Sequence, residues 1–244
     1  SLQKIGKYTF SLCTSFKKIS ISSSLQNTII EFDPSFGKYI ATGYLNNGWS
    51  SVVYKVRKKD TNKFYIAKII SKQDMINKHS LEDVYNEILI HKSLNHPNIV
   101  KHIDTLELRN SKGEELIIII EEFCSKGDIL TFMNKKSFKN KFERKNIERG
   151  MVDAVKYLHA LGFAHSDIKP ENILLDKNMN VKLSDFGLCQ FCSNENSIYF
   201  KNDIWSIGVV LYILAEGKKP NILLNENGHL LVVTEDKKLK KLVE

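Results

Sequence analysis

The chain has 244 residues and a mass of 28.1 kDa, enough for one large domain or two modest ones around a sizeable core. Apolar residues make up 42% and charged residues 26%, which excludes a chain disordered throughout. The net charge is +8, yet only Arg57, Arg109, Arg144 and Arg149 are arginines. Nucleic-acid readers depend on the planar arginine fork, so the charge reads as solvated lysine surface and no nucleic-acid partner is expected.

In chain order, residues 1–38 are rich in Ser and Lys with weak periodicity and read as an N-terminal extension. Residues 51–56 and 64–70 carry strand signals around a polar turn at 58–63, which predicts a hairpin. Apolar residues at 81, 84, 85, 88, 89 and 94 form a helical stripe, ended by His96-Pro97. Two further strands are predicted at 99–108 and 116–123. The second half changes character. Residues 147–161 form an amphipathic helix, and 173–175 and 181–183 are short strands flanking a turn. Residues 204–215 are apolar almost all round, which predicts a buried helix. Strands first and helices later give an α+β chain of two lobes with a seam near 122–126.

The longest nearly apolar run, 207–215, is far shorter than the ~20 residues a bilayer span needs, so no membrane span is expected. No secretory segment opens the chain, so an intracellular location, cytoplasmic or nuclear, is expected. Position 1 is Ser1 rather than Met, so residues are expected upstream. Cys13, Cys124, Cys189 and Cys192 make no disulfide scaffold. The last two have C-x-x-C spacing, but no second ligand pair follows for zinc. The reading is two unrelated thiols.

The informative stretch is His165-Ser-Asp-Ile-Lys-Pro-Glu-Asn172, followed by Asp185-Phe-Gly187. It resembles the catalytic loop and metal-binding motif of the eukaryotic protein kinases. The resemblance covers residues 39 to about 215. It implies a bilobal kinase fold: an antiparallel-sheet N-lobe with one helix at 39–123, and a mainly helical C-lobe at 124–244. It implies ATP and Mg2+ as cofactors and protein hydroxyls as acceptors. Asp167 would take or orient the hydroxyl proton, and Lys169 would sit near the transferring phosphoryl group. Asn172 and Asp185 would hold magnesium, a hard cation that wants oxygen ligands. Lys169 with Pro170-Glu-Asn is the serine/threonine form of the loop. Residues 211–214 followed by Gly217 resemble the calcium/calmodulin-dependent group.

Upstream, Lys68 resembles the lysine that grips the α- and β-phosphates, although Ile66 stands where the family has Ala. Glu87 lies at the spacing of that lysine's carboxylate partner. The glycine-rich loop matches least: over Leu45, Asn46, Asn47, Gly48, Trp49, Ser50, Ser51, Val52 and Val53 only Gly48 survives of the family's three glycines. Glu122 to Cys124 resembles the linker that bonds the adenine edge. Asp128 would reach the ribose, and Leu45, Val53 and Leu174 would sandwich the base. Glu121 falls behind the adenine, where an unpaired carboxylate is costly, and Lys68 is its nearest expected partner.

Three departures stand out. Ser166 replaces the Arg that meets an activation-loop phosphate, so the chain resembles kinases that do not need that switch. His91 and His102 fall in the apolar stack that Phe186 and His165 complete; filling its volume is their plainest role. Asp185 and Asp203 are close in sequence, with no Ala-Pro-Glu motif between them. The expectation is that stretches are omitted near 188–193 and near 220; the alternative is a shortened lobe. Glu171 and Asp128 resemble positions that favour arginine in basophilic relatives, which implies substrates basic around the phosphorylated site. A nucleotide-binding pseudokinase serving as an interaction module is the alternative function.

Overall fold

The computed structural model describes residues 35–48, 51–78, 80–135, 141–194, 197–217, 221–224 and 230–233. The expectations for 1–34, Trp49, Ser50 and 234–244 lie outside the described residues.

Six strands form one antiparallel sheet: β1 (Ser35–Phe36), β2 (Tyr39–Asn47), β3 (Val52–Lys58), β4 (Phe64–Ser71), β5 (His102–Arg109) and β6 (Glu115–Glu122), in the order β1-β2-β3-β4-β6-β5. Strand β6 organises the lobe. Leu116, Ile118 and Ile120 point to one face, with Phe36, Tyr39, Val56, Ala67 and Ile69. Ile117 and Ile119 point to the other, with Ile70, Met75, Val84 and Ile88. Burial on both faces explains the unbroken apolar run, at about 1.5–3 kcal/mol per fully buried side chain.

The second face is covered by α1 (Lys72–Asn77) and α2 (Leu81–Ser93), so this lobe has two helices where one was expected. Helix α1 follows β4 directly because Ser71 caps it, its Oγ accepting from the Asp74 N–H at 3.2 Å. Helix α2 turns Val84, Ile88 and His91 inward, while Leu89 of the predicted stripe stays exposed.

Beyond the linker come β7 (Gly127–Asp128), α3 (Ile129–Lys135), α4 (Lys141–Ala160) and β8 (Phe163–Ala164). A 3-10 turn at Pro170–Asn172 leads into β9 (Ile173–Leu175), followed by β10 (Val181–Leu183), β11 (Gln190–Phe191) and α5 (Ile198–Glu216). Ile147, Met151, Ala154, Val155 and Leu158 of α4 pack on Ile207, Val210 and Leu214 of α5 and on the β9–β10 hairpin. Helix α5 begins earlier than predicted and is not buried all round, since Ile204 is 59% exposed. By length and composition it is the one described helix that could cross a membrane. It is nevertheless part of this lobe, because its Asp203 holds the catalytic loop. An unpredicted hairpin of β12 (Asn221–Leu224) and β13 (Leu230–Val233) follows.

Candidate active site

The loop 165–172 is built on a single buried carboxylate. Asp203, 1% exposed, accepts from the backbone N–H of His165 at 2.8 Å and of Ser166 at 2.9 Å. Its Oδ2 also accepts from His159 Nε2 at 2.8 Å. These bonds hold Ser166 at φ 64°, a left-handed conformation that a non-glycine residue adopts only when its surroundings impose it. His165 is fixed as firmly. The Asp167 N–H donates to its Nδ1 at 3.3 Å, and its Nε2 faces the Ser184 carbonyl at 3.1 Å. A carbonyl only accepts, so the ring carries its hydrogen on Nε2. Burial pushes its pKa down, against the pull of Asp203 and Asp167, in keeping with a neutral ring.

The loop presents Asp167. Its Oδ2 receives Lys169 Nζ at 2.6 Å and Asn172 Nδ2 at 2.8 Å. Asn172 also donates to the Asp167 carbonyl at 2.8 Å, and its own carbonyl accepts from the Ser184 N–H and hydroxyl. Ser184 precedes Asp185, so the two expected metal-holding residues are tied together through one backbone contact. Asp185 also has positive φ, 68°. Beside it, a Cβ on Gly187 would lie 3.3 Å from Glu87 Oε2 and 3.6 Å from Asp185 Oδ1. A side chain there would make Glu87 give way by a few tenths of an ångström.

Lys68 stands opposite. Its Nζ is 3.6 Å from Glu87 Oε1 and 3.0 Å from Glu121 Oε1, the latter off the line of a well-formed hydrogen bond. Burial favours the neutral amine, but Glu121, Glu87 and Asp185 together overcome it and raise the Lys68 pKa. Glu87 also moves up, because burial and the neighbouring carboxylates outweigh Lys68. The carboxylates raise both groups, against burial at Lys68 and together with it at Glu87.

A stack of rings runs behind the site. His91 lies 5.6 Å from His102 and 4.7 Å from Phe186, and Phe186 lies 5.3 Å from His165. The sequence placed these four rings together, and the structure brings them together. Burial lowers the pKa of His91, and it lowers that of His102 to about 4, helped by His91 and Lys92.

The nucleotide-side residues divide. Asn46 and Asn47 end β2, and the Gly48 N–H donates to the Ser51 carbonyl at 2.7 Å, which closes a tight turn. Val53 is the cross-strand partner of Lys68 and shares its face. Val52 is a correction: it pairs with Ile69 and, by strand alternation, faces the opposite side of the sheet. Leu45 is 48% exposed at the rim. Leu174 pairs with Asp128, so β9 and β7 bring both to the linker. Both Asp128 oxygens accept from Thr131, at 2.7 Å each, making it first of all the cap of α3. Glu122 pairs with Lys182 at 3.0 Å, and burial raises the Cys124 thiol to about 12. A cavity of about 320 Å³ lies behind that pair, lined by Leu94, Pro97, Ile99 and Ile103, away from Asp167 and Lys68. Sequence reasoning missed Gln190, whose Nε2 donates to Ser166 Oγ at 3.1 Å. Two neutral side chains meeting across a turn leave no spacing signal.

Oxygen donors on Asn172 and Asp185 suit a hard cation. Among the described residues no group of three or more His, Cys, Asp or Glu side chains could hold a metal alone. A cation here would complete its shell with phosphate oxygens and water, as magnesium commonly does.

Comparison with known proteins agrees with this geometry. Residues 39–202 match the protein kinase domain. The chain is 31% identical over 198 residues to the probable serine/threonine-protein kinase PLK of Dictyostelium discoideum, covering 72% of this chain and 20% of that protein. It is 34% identical over 205 residues to death-associated protein kinase 2 of Mus musculus, covering 72% and 54%. It is 29% identical over 200 residues to the cell cycle serine/threonine-protein kinase CDC5/MSD2 of Saccharomyces cerevisiae, covering 72% and 28%. The chain thus spans about half or less of these relatives. The chain belongs to the protein kinase family.

Proposed function

We propose that the chain is an ATP-dependent serine/threonine protein kinase that transfers the γ-phosphoryl group to protein hydroxyls. The observation that carries this reading is the joining of Asp167, Lys169 and Asn172 into one hydrogen-bonded group, with Lys68 and Asp185 nearby. A pseudokinase has no need to keep all of these.

The acceptor oxygen forms a bond to the γ-phosphorus as the bond from that phosphorus to the ADP oxygen breaks. Asp167 Oδ2 is engaged by Lys169 and Asn172, so Oδ1 is the atom that orients the hydroxyl and takes its proton. Lys169 balances charge on the phosphoryl group in transit, and Lys68 holds the non-transferred phosphates. Asn172 and Asp185 would hold Mg2+, which neutralises phosphate charge when bound. Acceptors basic around the phosphorylated site are supported by Glu171 beside the loop; Asp128 adds less, since its cap engages both oxygens. An intracellular location fits ATP as the donor.

The test is magnesium-dependent transfer of labelled γ-phosphate to a generic basic protein. Transfer by the wild type that Asp167→Asn removes supports the reading. ATP binding without transfer would favour the interaction-module alternative.

A further inference from the structure

Glu121 is the residue of this site that phosphotransfer does not call for. Strand alternation sets its direction. Lys68 pairs with Ile119 across the ladder, and Glu121 lies two residues further along β6, so both side chains leave the same face. Diagonal neighbours of this kind are ~7–8 Å apart, within reach of two long side chains. They meet at 3.0 Å, against 3.6 Å between Lys68 and Glu87. The nearer counter-ion therefore stands on the sheet that carries the lysine, and the farther one stands on α2. Glu121 is only 4% exposed, and its imidazole neighbours are His91, whose Nδ1 is 3.5 Å away, and His102, its cross-strand partner on β5. The His91 Nε2 sits 2.6 Å from the Val100 carbonyl and must carry a hydrogen there, so a neutral ring turns a bare Nδ1 toward the carboxylate. Lys68 is thus the group that offsets the buried charge of Glu121.

We propose that Glu121 is a positioning residue that anchors Lys68 to the sheet and keeps the lysine in the nucleotide site whether or not α2 brings Glu87 within range. The ammonium lies in ion-pair range of both carboxylates, and its three N–H groups leave a donor for a phosphate oxygen. In this chain α2 shares with the sheet a duty that would otherwise be its own. The proposal rests on Lys68 being the nucleotide lysine.

The experiment compares Glu121→Gln, Glu87→Gln and the double variant in the full chain. One readout is the affinity for a fluorescent ATP analogue with magnesium. The other is the rate at which acetic anhydride acylates Lys68, followed by peptide mass spectrometry. Each single substitution should weaken nucleotide binding by less than about tenfold, and the double by more than the product of the two. Lys68 acylation should rise about tenfold in Glu121→Gln, because the nearer carboxylate no longer holds the ammonium proton. Unchanged acylation in Glu121→Gln overturns the proposal, as does a Glu87→Gln loss of binding equal to that of Lys68→Met. If Glu121→Gln does not fold, Glu121→Leu, which removes the buried charge, takes the same two measurements. Acylation needs neither nucleotide nor turnover. A wild type that binds no nucleotide therefore sinks the kinase reading alone, and the anchor is still decided by Lys68 reactivity.

Discussion

The catalytic loop and the segment after Asp185 lie side by side and are held by different means. The loop hangs from a carboxylate buried in α5, which takes two backbone N–H groups and an imidazole at once. The segment is held by a two-residue ladder between β11 and β8, by the Cys192 N–H on the Gly162 carbonyl, and by the neutral Gln190–Ser166 bond. Charge-assisted buried bonds contribute about 1.5–3 kcal/mol each, and neutral ones about 0.5–1.5. The position of the catalytic aspartate is thus set by buried charge, while the neighbouring segment rests on neutral bonds and on the packing of Phe191 against Phe163 and of Cys192 against Ala164 and Phe200.

The comparison is broken most severely from the loop side. Asp167→Asn should lower kcat by ~10²–10⁴-fold while leaving ATP affinity nearly unchanged, because the carboxylate serves the hydroxyl and not the nucleotide. Steady-state kinetics beside nucleotide binding check this. Asp203→Ala should destabilise the lobe by about 3–5 kcal/mol, since three donors, one fully buried and two partly, lose their acceptor together. Urea unfolding measures it, and a cost under about 1 kcal/mol would show that the loop keeps its shape without the carboxylate.

Acid tests the ring stack that joins the two regions. Burial holds His91, His102 and His165 below the ordinary histidine value of about 6.5, His102 at about 4. The unfolded chain then binds protons that the folded chain refuses. Stability should be full above pH 6.5 and should fall as pH drops toward 4. The lysine and carboxylates facing His91 also act on it: Glu121 and Asp185 pull its pKa up, and Lys68 pushes it down. Melting temperatures across that window give the answer; a flat profile would mean that the rings escape to water before they charge.

The smallest effect sharpens the segment side. Gln190→Ala should cost about 1 kcal/mol or less, because it removes one neutral hydrogen bond. Exhaustive phosphatase treatment should leave phosphotransfer unchanged, since Ser166 offers no charge to a loop phosphate. Lys182 is engaged with Glu122 at the linker and is not free to take over that role. A large loss on dephosphorylation would direct attention to Lys201.

The catalytic constellation was legible because phosphoryl transfer fixes residue types at short spacings, as in 165–172 and 185–187. Lys68 and Glu87 were legible through one strand-to-helix distance, and the Lys68–Glu121 contact through the cost of burying a carboxylate. Helix α1 was not, because it starts at a Ser71 cap with no turn residues before it. Asp128 was read for its place in the family pattern, and the local pull of Thr131 on both its oxygens went unseen. In each of the alignments the aligned positions outnumber the 72% of this chain that they use, so the relatives carry residues with no counterpart here. That accords with the short interval between Asp185 and Asp203, and periodicity has nothing to read where residues are lacking.

The placement of Asp203 also orders events during synthesis. The sheet of 35–122 has all its ladder partners as soon as β6 has emerged from the ribosome, and it can collapse on α1 and α2 early. The loop 165–172 emerges later and must wait for α5, because the carboxylate that fixes its left-handed turn comes 37 positions after Ser166. A nascent chain paused between the two carries a finished nucleotide-lysine lobe and an unformed acceptor side.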